Sequence, residues 1–173
     1  CAIKAAQLGF DVVLTEKDTV GGTCLNRGCI PTKTFFKTAE LMKDIKRSET
    51  FAIFDAGSPK VDGKKLQERK REIVGTLVGG IKQLLSSYPN LKFYEGFASF
   101  EDKKTLKIRL KDGSEIIEND FDNIIIASGS VPKMTETEGV DLEGVITSDD
   151  LLELEEIPES LIVVGAGVIG LEF

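Results

Sequence analysis

The chain has 173 residues, of which 41% are hydrophobic and 29% charged, and its formal net charge is −7. This balance is typical of a globular protein with its own core. The negative charge argues against nucleic acid or an anionic membrane as a partner, and no apolar run approaches the roughly 20 residues of a membrane span. Three cysteines are too few for a secreted disulfide framework, so we expect an intracellular protein.

The first predicted elements are a helix over residues 1–8, with Gly9 as its C-terminal stop, and a buried strand over 11–16. The strand ends on Glu16, as in a dinucleotide-binding βαβ unit, where the acid binds a ribose hydroxyl. The Gly-rich loop of such a unit lies about 20 residues upstream of the acid. We therefore expect the chain to begin inside this motif. The alternative for Glu16 is an ordinary solvated acid.

A glycine-rich stretch with two cysteines follows, Gly21-Gly22-Thr23-Cys24-Leu25-Asn26-Arg27-Gly28-Cys29-Ile30-Pro31-Thr32-Lys33. Five residues of straight helix rise about 7.5 Å, whereas the Cα atoms of a disulfide lie about 4.4–6.8 Å apart. A bond between Cys24 and Cys29 therefore requires a distorted turn, which Gly28 permits because it can adopt positive φ. Pro31 suits a first helical turn, which places Cys29 at a helix N-terminus that favours a thiolate. The pattern predicts a redox-active pair; a structural disulfide or two small buried residues are the alternatives.

Two helices and a β-rich segment are predicted next. The helices cover residues 34–46 and about 63–87, and the basic run 64–71 of the second predicts a solvated face. Strands are predicted at 91–100, 105–110, 114–118 and 121–130. The last of these contains three consecutive isoleucines, which suit a strand buried on both faces in a parallel sheet.

The final segment carries a second glycine motif. Ser148 is expected to cap a short helix to about Glu156, and Leu161 begins a strand that runs directly into Gly165-Ala166-Gly167-Val168-Ile169-Gly170. The glycines of a GxGxxG motif allow a tight turn, the approach of a pyrophosphate and close helix–strand packing. The motif is weak alone, but after a strand it predicts dinucleotide binding.

Together these motifs resemble those of the pyridine nucleotide-disulfide oxidoreductases, a family of flavoenzymes, over nearly all 173 residues. The Gly-Gly-Thr-Cys-x4-Cys stretch is the most specific signature. Leu25 and Ile30 favour the branch that oxidises dihydrolipoamide, and the segments 5–9 and 148–151 also fit it. The glutathione- and mercury-reducing branches are the alternatives. Thr32 departs from the usual Ser of the lipoamide branch, and Arg27 stands where Val is frequent.

The resemblance implies an α/β fold with two parts. Residues 1–157 would form a Rossmann-like FAD-binding domain, three-layered around a parallel sheet, with inserted helices and a β-meander but without its first strand and GxGxxG loop. Residues 158–173 would be the first βα element of a second, NAD-binding Rossmann domain.

The resemblance also implies roles for individual residues. Cys24 would exchange with the substrate dithiol, and Cys29 would lie against the flavin ring as a charge-transfer thiolate. Lys33 would reach the flavin near its reactive nitrogen and pair with Glu172. Further FAD contacts are implied for Glu16, Gly21, Gly22, Thr23, Cys24, Ala98, Ser128, Gly129 and Ser130, and NAD contacts for Gly165, Gly167, Val168, Ile169 and Gly170.

The implied reaction has two halves. Dihydrolipoamide, on the lipoyl carrier domain of a 2-oxo acid dehydrogenase or glycine cleavage complex, reduces the Cys24–Cys29 disulfide. The resulting dithiol reduces FAD, and the flavin reduces NAD. The family works as a homodimer whose partner subunit supplies a His as proton acceptor, and this chain contains no His. We therefore expect the segment alone to be inactive, and the whole enzyme to be cytoplasmic or, in a eukaryote, in the mitochondrial matrix.

Two further interpretations concern the cysteines. A non-catalytic dinucleotide-binding module whose thiols sense oxidants is the alternative from a different functional class. A zinc site is not expected, because it needs four ligands. The chain has no His, and Cys1 is the only cysteine besides Cys24 and Cys29.

Overall fold

The computed structural model describes residues 1–173 and contains six α-helices, a 3-10 helix and four strands. The helices are α1 (Ala2–Gln7), α2 (Gly22–Arg27), α3 (Cys29–Lys46), α4 (Gly63–Ser86), α5 (Ser148–Leu151) and α6 (Val168–Glu172), and the 3-10 helix is Ser48–Phe51. The strands are β1 (Val12–Glu16), β2 (Leu91–Phe100), β3 (Leu106–Leu110) and β4 (Glu115–Glu118). None of the helices combines the length and the apolar character needed to span a membrane.

The chain divides into two compact units. Unit 1 comprises Cys1–Gly22 and Thr76–Gly129, and unit 2 comprises Thr23–Gly75 and Ser130–Phe173. The boundary at Thr76 falls within α4, so the N-terminal half of this helix belongs to unit 2 and its C-terminal half to unit 1.

Unit 1 contains a mixed sheet in the order β1-β2-β3-β4. Strand β2 pairs with β1 in parallel through its first half and with β3 in antiparallel fashion through its second half. Strand β4 continues the antiparallel meander. The α/β class, the parallel pair and the meander that the sequence predicts are therefore present, and the sheet stays open.

The core of unit 1 is built from α1, α4 and the first strands. Its buried residues are Ala6, Val20, Leu85 and Leu91. The side chain of Asn90 ties α1 to the start of β2, because its Nδ2 donates to the carbonyls of Ala6 (2.9 Å) and Phe10 (2.7 Å). This packing positions β1, which ends on Glu16.

Two predicted strands and one predicted cap are wrong. Residues 121–130 and 161–164 form no strand, and Ile126 and Ile162 are 74% and 89% exposed. Their β-branched composition favours an extended backbone, but a strand also needs a ladder partner, and none of β1–β4 pairs with them. Helix α5 ends at Leu151, and its N-cap is Thr147, whose side chain forms a capping box with Asp150.

Candidate functional site

The two cysteines of the glycine-rich stretch lie on either side of a break between two helices. Helix α2 ends at Arg27 and α3 begins at Cys29, with Gly28 between them. Gly28 has a φ of −140°, so the break does not use the positive φ that this glycine permits. A Cβ at this position would lie 3.1 Å from the Cα of Cys24, a tight contact that glycine avoids. The predicted first-turn position of Pro31 is confirmed, and its ring is buried.

Both thiols of this break are free and exposed. Cys24 and Cys29 lie near each other but not at disulfide distance. A hydrogen bond to the Cys29 side chain, together with smaller effects of desolvation and of the Cys29 charge, raises the pKa of the Cys24 thiol, and the positive charge of Lys33 opposes the shift. Cys24 therefore holds its proton more tightly than an ordinary thiol does.

An ion pair lies one helical turn beyond Cys29. The Nζ of Lys33 on α3 lies 3.3 Å from the Oε1 of Glu172 on α6. Both side chains are partly exposed, at 63% and 38%. Unit 2 thus brings together the two cysteines, Lys33 and Glu172, residues that are up to 148 positions apart in the sequence.

The second glycine motif forms a tight turn into α6. Gly165 has a φ of 113°, a conformation that favours glycine. A Cβ at Gly170 would collide with the Gly165 carbonyl oxygen and lie 3.1 Å from Val163. A Cβ at Gly167 would meet no atom within 4 Å, so this backbone faces open space. These are the tight turn, the close packing and the accessible backbone that a GxGxxG motif needs for a dinucleotide.

The remaining predicted residues belong largely to unit 1. Glu16 ends β1, and its Oε1 accepts a hydrogen bond of 2.8 Å from the backbone N–H of Asp18. Ala98 lies in β2 opposite Ile108. Gly21 and Gly22 both have positive φ. Thr23 lies in α2, and Ser128, Gly129 and Ser130 are exposed and lie outside any helix or strand.

Two side chains of α4 contradict the predicted solvated face. Gln67 is 1% exposed and Lys70 is 4% exposed, and both bond to the backbone of residues 152–154. The spacing of 67 and 70 places them on one helix face, yet the surrounding Lys, Arg and Glu residues conceal that face in the sequence. Only their partners, more than 80 residues away, distinguish them from solvated neighbours.

The family model described as pyridine nucleotide-disulphide oxidoreductase matches residues 1–173. The chain belongs to this family.

The chain spans half or less of the length of the relatives described here. It is 42% identical to a dihydrolipoyl dehydrogenase of Bacillus subtilis over 173 residues, covering 99% of this chain and 37% of that protein. A dihydrolipoyl dehydrogenase of Acholeplasma laidlawii is 39% identical over 180 residues, with 99% of this chain and 50% of that protein covered. Among solved structures, the HOCl-induced flavoprotein disulfide reductase RclA from Escherichia coli superposes with a TM-score of 0.65 at 28% identity, over 99% of this chain and 35% of that one.

Proposed function

We propose that this chain is part of a flavoprotein that oxidises dihydrolipoamide and reduces NAD+, a dihydrolipoyl dehydrogenase. The observation that carries the proposal is the pair of free, exposed thiols Cys24 and Cys29, which lie near each other on either side of the helix break at Gly28. The dihydrolipoyl dehydrogenases among its relatives support the choice of substrate. We assign residues 1–157 to the FAD-binding domain and residues 158–173 to the start of the NAD-binding domain.

The residues present fit the chemistry of both dinucleotides. One oxygen of Glu16 is held by the Asp18 N–H, which leaves its second oxygen for a ribose hydroxyl. Gly21 and Gly22 have the positive φ of a loop that exposes backbone N–H groups. The turn that contains Gly167 has space for a pyrophosphate. We therefore assign Glu16, Gly21, Gly22, Thr23, Ala98 and residues 128–130 to FAD, and residues 165–170 to NAD.

The cysteine pair carries the thiol chemistry. A thiolate of dihydrolipoamide attacks the Cys24 sulfur of the Cys24–Cys29 disulfide, the S–S bond breaks, and Cys29 leaves as a thiolate. The second substrate thiolate attacks the substrate sulfur of the mixed disulfide and releases Cys24. Cys24 takes up a proton readily, because its hydrogen bond to Cys29 raises its pKa. The substrate is thereby oxidised to its cyclic disulfide, and two electrons are held by the two cysteines.

The electrons then leave the cysteine pair, and the disulfide re-forms. When bound, FAD would supply the two-electron acceptor for the cysteine dithiol and the hydride donor for NAD+. The net reaction converts the substrate dithiol and NAD+ into the cyclic disulfide, NADH and one proton. Lys33 lies one turn beyond Cys29 and its positive charge opposes the rise in the pKa of Cys24, and Glu172 pairs with the Lys33 ammonium at 3.3 Å. The proton acceptor of the first step, a His of the partner subunit in a homodimer, is part of the same proposal.

The test uses the full-length protein that carries this chain. We expect it to be yellow, to turn over dihydrolipoamide with NAD+, and to develop a long-wavelength charge-transfer band on dithiol reduction. Cys29→Ser abolishes both the band and turnover, whereas Cys24→Ser abolishes turnover and keeps the band. Cys1→Ser is the matched control, because Cys1 is also a free exposed thiol, and it leaves both unchanged.

Other outcomes would redirect the proposal. A colourless full-length protein whose cysteines respond only to oxidants would instead be a thiol redox module. Turnover with NADPH and glutathione disulfide or mercuric ion, but not with dihydrolipoamide, would place it in another branch of the family. A Cys29→Ser protein that retains the band would reverse the roles of the two cysteines.

A further inference from the structure

The first half of α4 carries a face that holds one short acidic segment of the chain. Four residues share this side of the helix, at i, i+4, i+7 and i+8: Gly63, Gln67, Lys70 and Arg71. All four lie against residues 152–156, Leu-Glu-Leu-Glu-Glu. We call the four residues the docking face and residues 152–156 the acidic segment.

The buried part of the docking face donates hydrogen bonds to the backbone of the acidic segment. The Lys70 ammonium donates to the Leu152 carbonyl (2.7 Å) and to the Glu153 carboxylate (2.6 Å). The Gln67 amide donates to the carbonyls of Leu152 (2.9 Å) and Leu154 (2.6 Å). These carbonyls lie past the end of α5, where a helix leaves carbonyls without backbone partners. Because Gln67 and Lys70 are almost fully buried, losing either one leaves a desolvated carbonyl without its donor, which is unfavourable.

The Gln67 amide can hold both carbonyls in one orientation only. Its Oε1 is buried and has no hydrogen-bond partner. If the amide nitrogen and oxygen exchanged places, Oε1 would face the two carbonyls and both hydrogen bonds would be lost. The side chain thus leaves one acceptor unsatisfied in order to donate twice. This is the arrangement expected of a residue that fixes the position of a backbone.

The outer part of the docking face holds the second half of the acidic segment. A Cβ at Gly63 would collide with the Glu155 carbonyl oxygen, so the first turn of α4 and the acidic segment approach each other backbone to backbone. The Nη2 of Arg71 lies 3.1 Å from the Oε1 of Glu155. This pair is exposed and contributes little by itself. Three of the five residues of the acidic segment are Glu, and the positive charges of Lys70 and Arg71 complement them.

The acidic segment lies directly before the boundary that we assign between the two domains. Residues up to 157 belong to the proposed FAD-binding domain, and the NAD-binding domain begins at Pro158. A single residue, Ile157, therefore separates the docked segment from the second domain. If the segment detached, its five residues would lengthen this connection. Since an extended residue spans about 3.3–3.6 Å, the start of the second domain would gain up to about 17 Å of freedom.

We propose that Gln67 and Lys70 are positioning residues that fix the NAD-binding domain relative to the FAD-binding domain, by holding the chain where it passes from one to the other. Hydride transfer needs reacting atoms about 3–3.5 Å apart, and a misplacement of about 1 Å can cost about a hundredfold in rate. The dithiol step uses Cys24 and Cys29, which both belong to the first domain. Docking should therefore matter for electron transfer to NAD+ and not for the dithiol step. This effect rests on the proposed function, whereas the docking itself does not.

Cleavage of the full-length protein by a Glu-specific protease tests the docking. The three glutamates of the acidic segment are cleavage sites that become available when the segment detaches. Lys70→Met and Gln67→Met should each raise the cleavage rate at these sites at least tenfold, as measured by mass spectrometry. The controls Lys64→Met and Gln83→Met, exposed positions on the same helix, should leave it unchanged. An unchanged rate in the two docking-face variants would overturn the proposal, and Gln67→Met provides the answer if Lys70→Met fails to fold.

Rapid-mixing measurements of the two half-reactions test the positioning. Lys70→Met should slow reoxidation of the reduced flavin by NAD+ at least fivefold, and should change flavin reduction by dihydrolipoamide less than twofold. Inserting Gly-Ser between Ile157 and Pro158 lengthens the connection and leaves the docking face intact. The insertion should slow the same step without raising cleavage in the acidic segment.

Three outcomes of these measurements would contradict a proposal. Equal slowing of both half-reactions would show a general structural effect and overturn the positioning role. Rapid cleavage with an unchanged NAD+ step would show that docking does not position the second domain, and would also overturn it. A full-length protein without flavin, or without turnover of dihydrolipoamide, would refute the proposed function, and the cleavage rates would still decide the docking.

Discussion

Replacing Gly96 by alanine should destabilise unit 1 through a clash inside its sheet. Gly96 is the buried residue of β2 at which pairing passes from β1 to β3. A Cβ there would lie 2.6 Å from the Arg109 carbonyl oxygen and 3.2 Å from the Cγ2 of Ile108, which is fully buried. Reaching an ordinary contact of about 3.4 Å requires a shift of about 0.8 Å in a ladder strand. Such overpacking lowers the free energy of unfolding by about 1–3 kcal/mol. About 0.4–1 kcal/mol of this loss is offset, because alanine reduces the conformational entropy of the unfolded chain.

The net loss of about 1–2 kcal/mol can be measured by urea unfolding. The chain has no Trp and two Tyr, Tyr88 and Tyr94, both in unit 1, so tyrosine fluorescence reports on this unit. With a slope of about 2 kcal/mol/M, the midpoint should fall by about 0.5–1 M. Gly80→Ala is the matched control: its Cβ meets no atom within 4 Å in α4, and it should stabilise by about 0.8 kcal/mol. A midpoint for Gly96→Ala at or above that of the parent protein would refute the reasoning.

Three further predictions concern the cysteines, the second glycine motif and the meander. Cys29→Ala should lower the pKa of Cys24 by removing the hydrogen bond that raises it, so Cys24 alkylation by iodoacetamide should begin at lower pH; an unchanged pH profile would contradict this. In the full-length protein, Gly170→Ala should displace the turn and weaken both NAD binding and folding, because its Cβ collides with a backbone carbonyl. Gly167→Ala should weaken binding, measured by titration calorimetry, without lowering the melting temperature; equal melting losses would contradict the assignment. Tyr94→Phe removes a 2.6 Å hydrogen bond to a carboxylate on β4 and should cost about 1–2 kcal/mol in urea unfolding, and a loss below about 0.3 kcal/mol would show that the bond contributes nothing.

The elements that the sequence predicts correctly are those specified by nearby residues. Helix α1 ends where Gly9 takes a φ of 88°, and α4 covers almost the whole predicted range. The hairpin between β3 and β4 turns at Gly113, where φ is 87°. In each case the element is specified by a glycine or by a periodic pattern of apolar residues, and both are visible in the local sequence.

The wrong predictions depend on distant partners. The isoleucines of 121–130 have strand propensity, but no strand in the chain offers them a ladder, and the relatives that the chain matches are much longer than it is. Lys70 lies in a charged run that predicts a solvated face, whereas its burial depends on Leu152 and Glu153.

The sequence by itself indicated the family, and its local patterns predicted the chemistry that we propose. The glycine-rich stretch, the five-residue spacing of Cys24 and Cys29 and the GxGxxG motif are local patterns, and a redox pair or a phosphate turn requires those residue types in that order. Only the tertiary structure decided that the pKa of the Cys24 thiol is raised beside Cys29 and that Gln67 and Lys70 are buried. Each of these depends on the distance between side chains or on their removal from water, and neither quantity exists until the chain has folded.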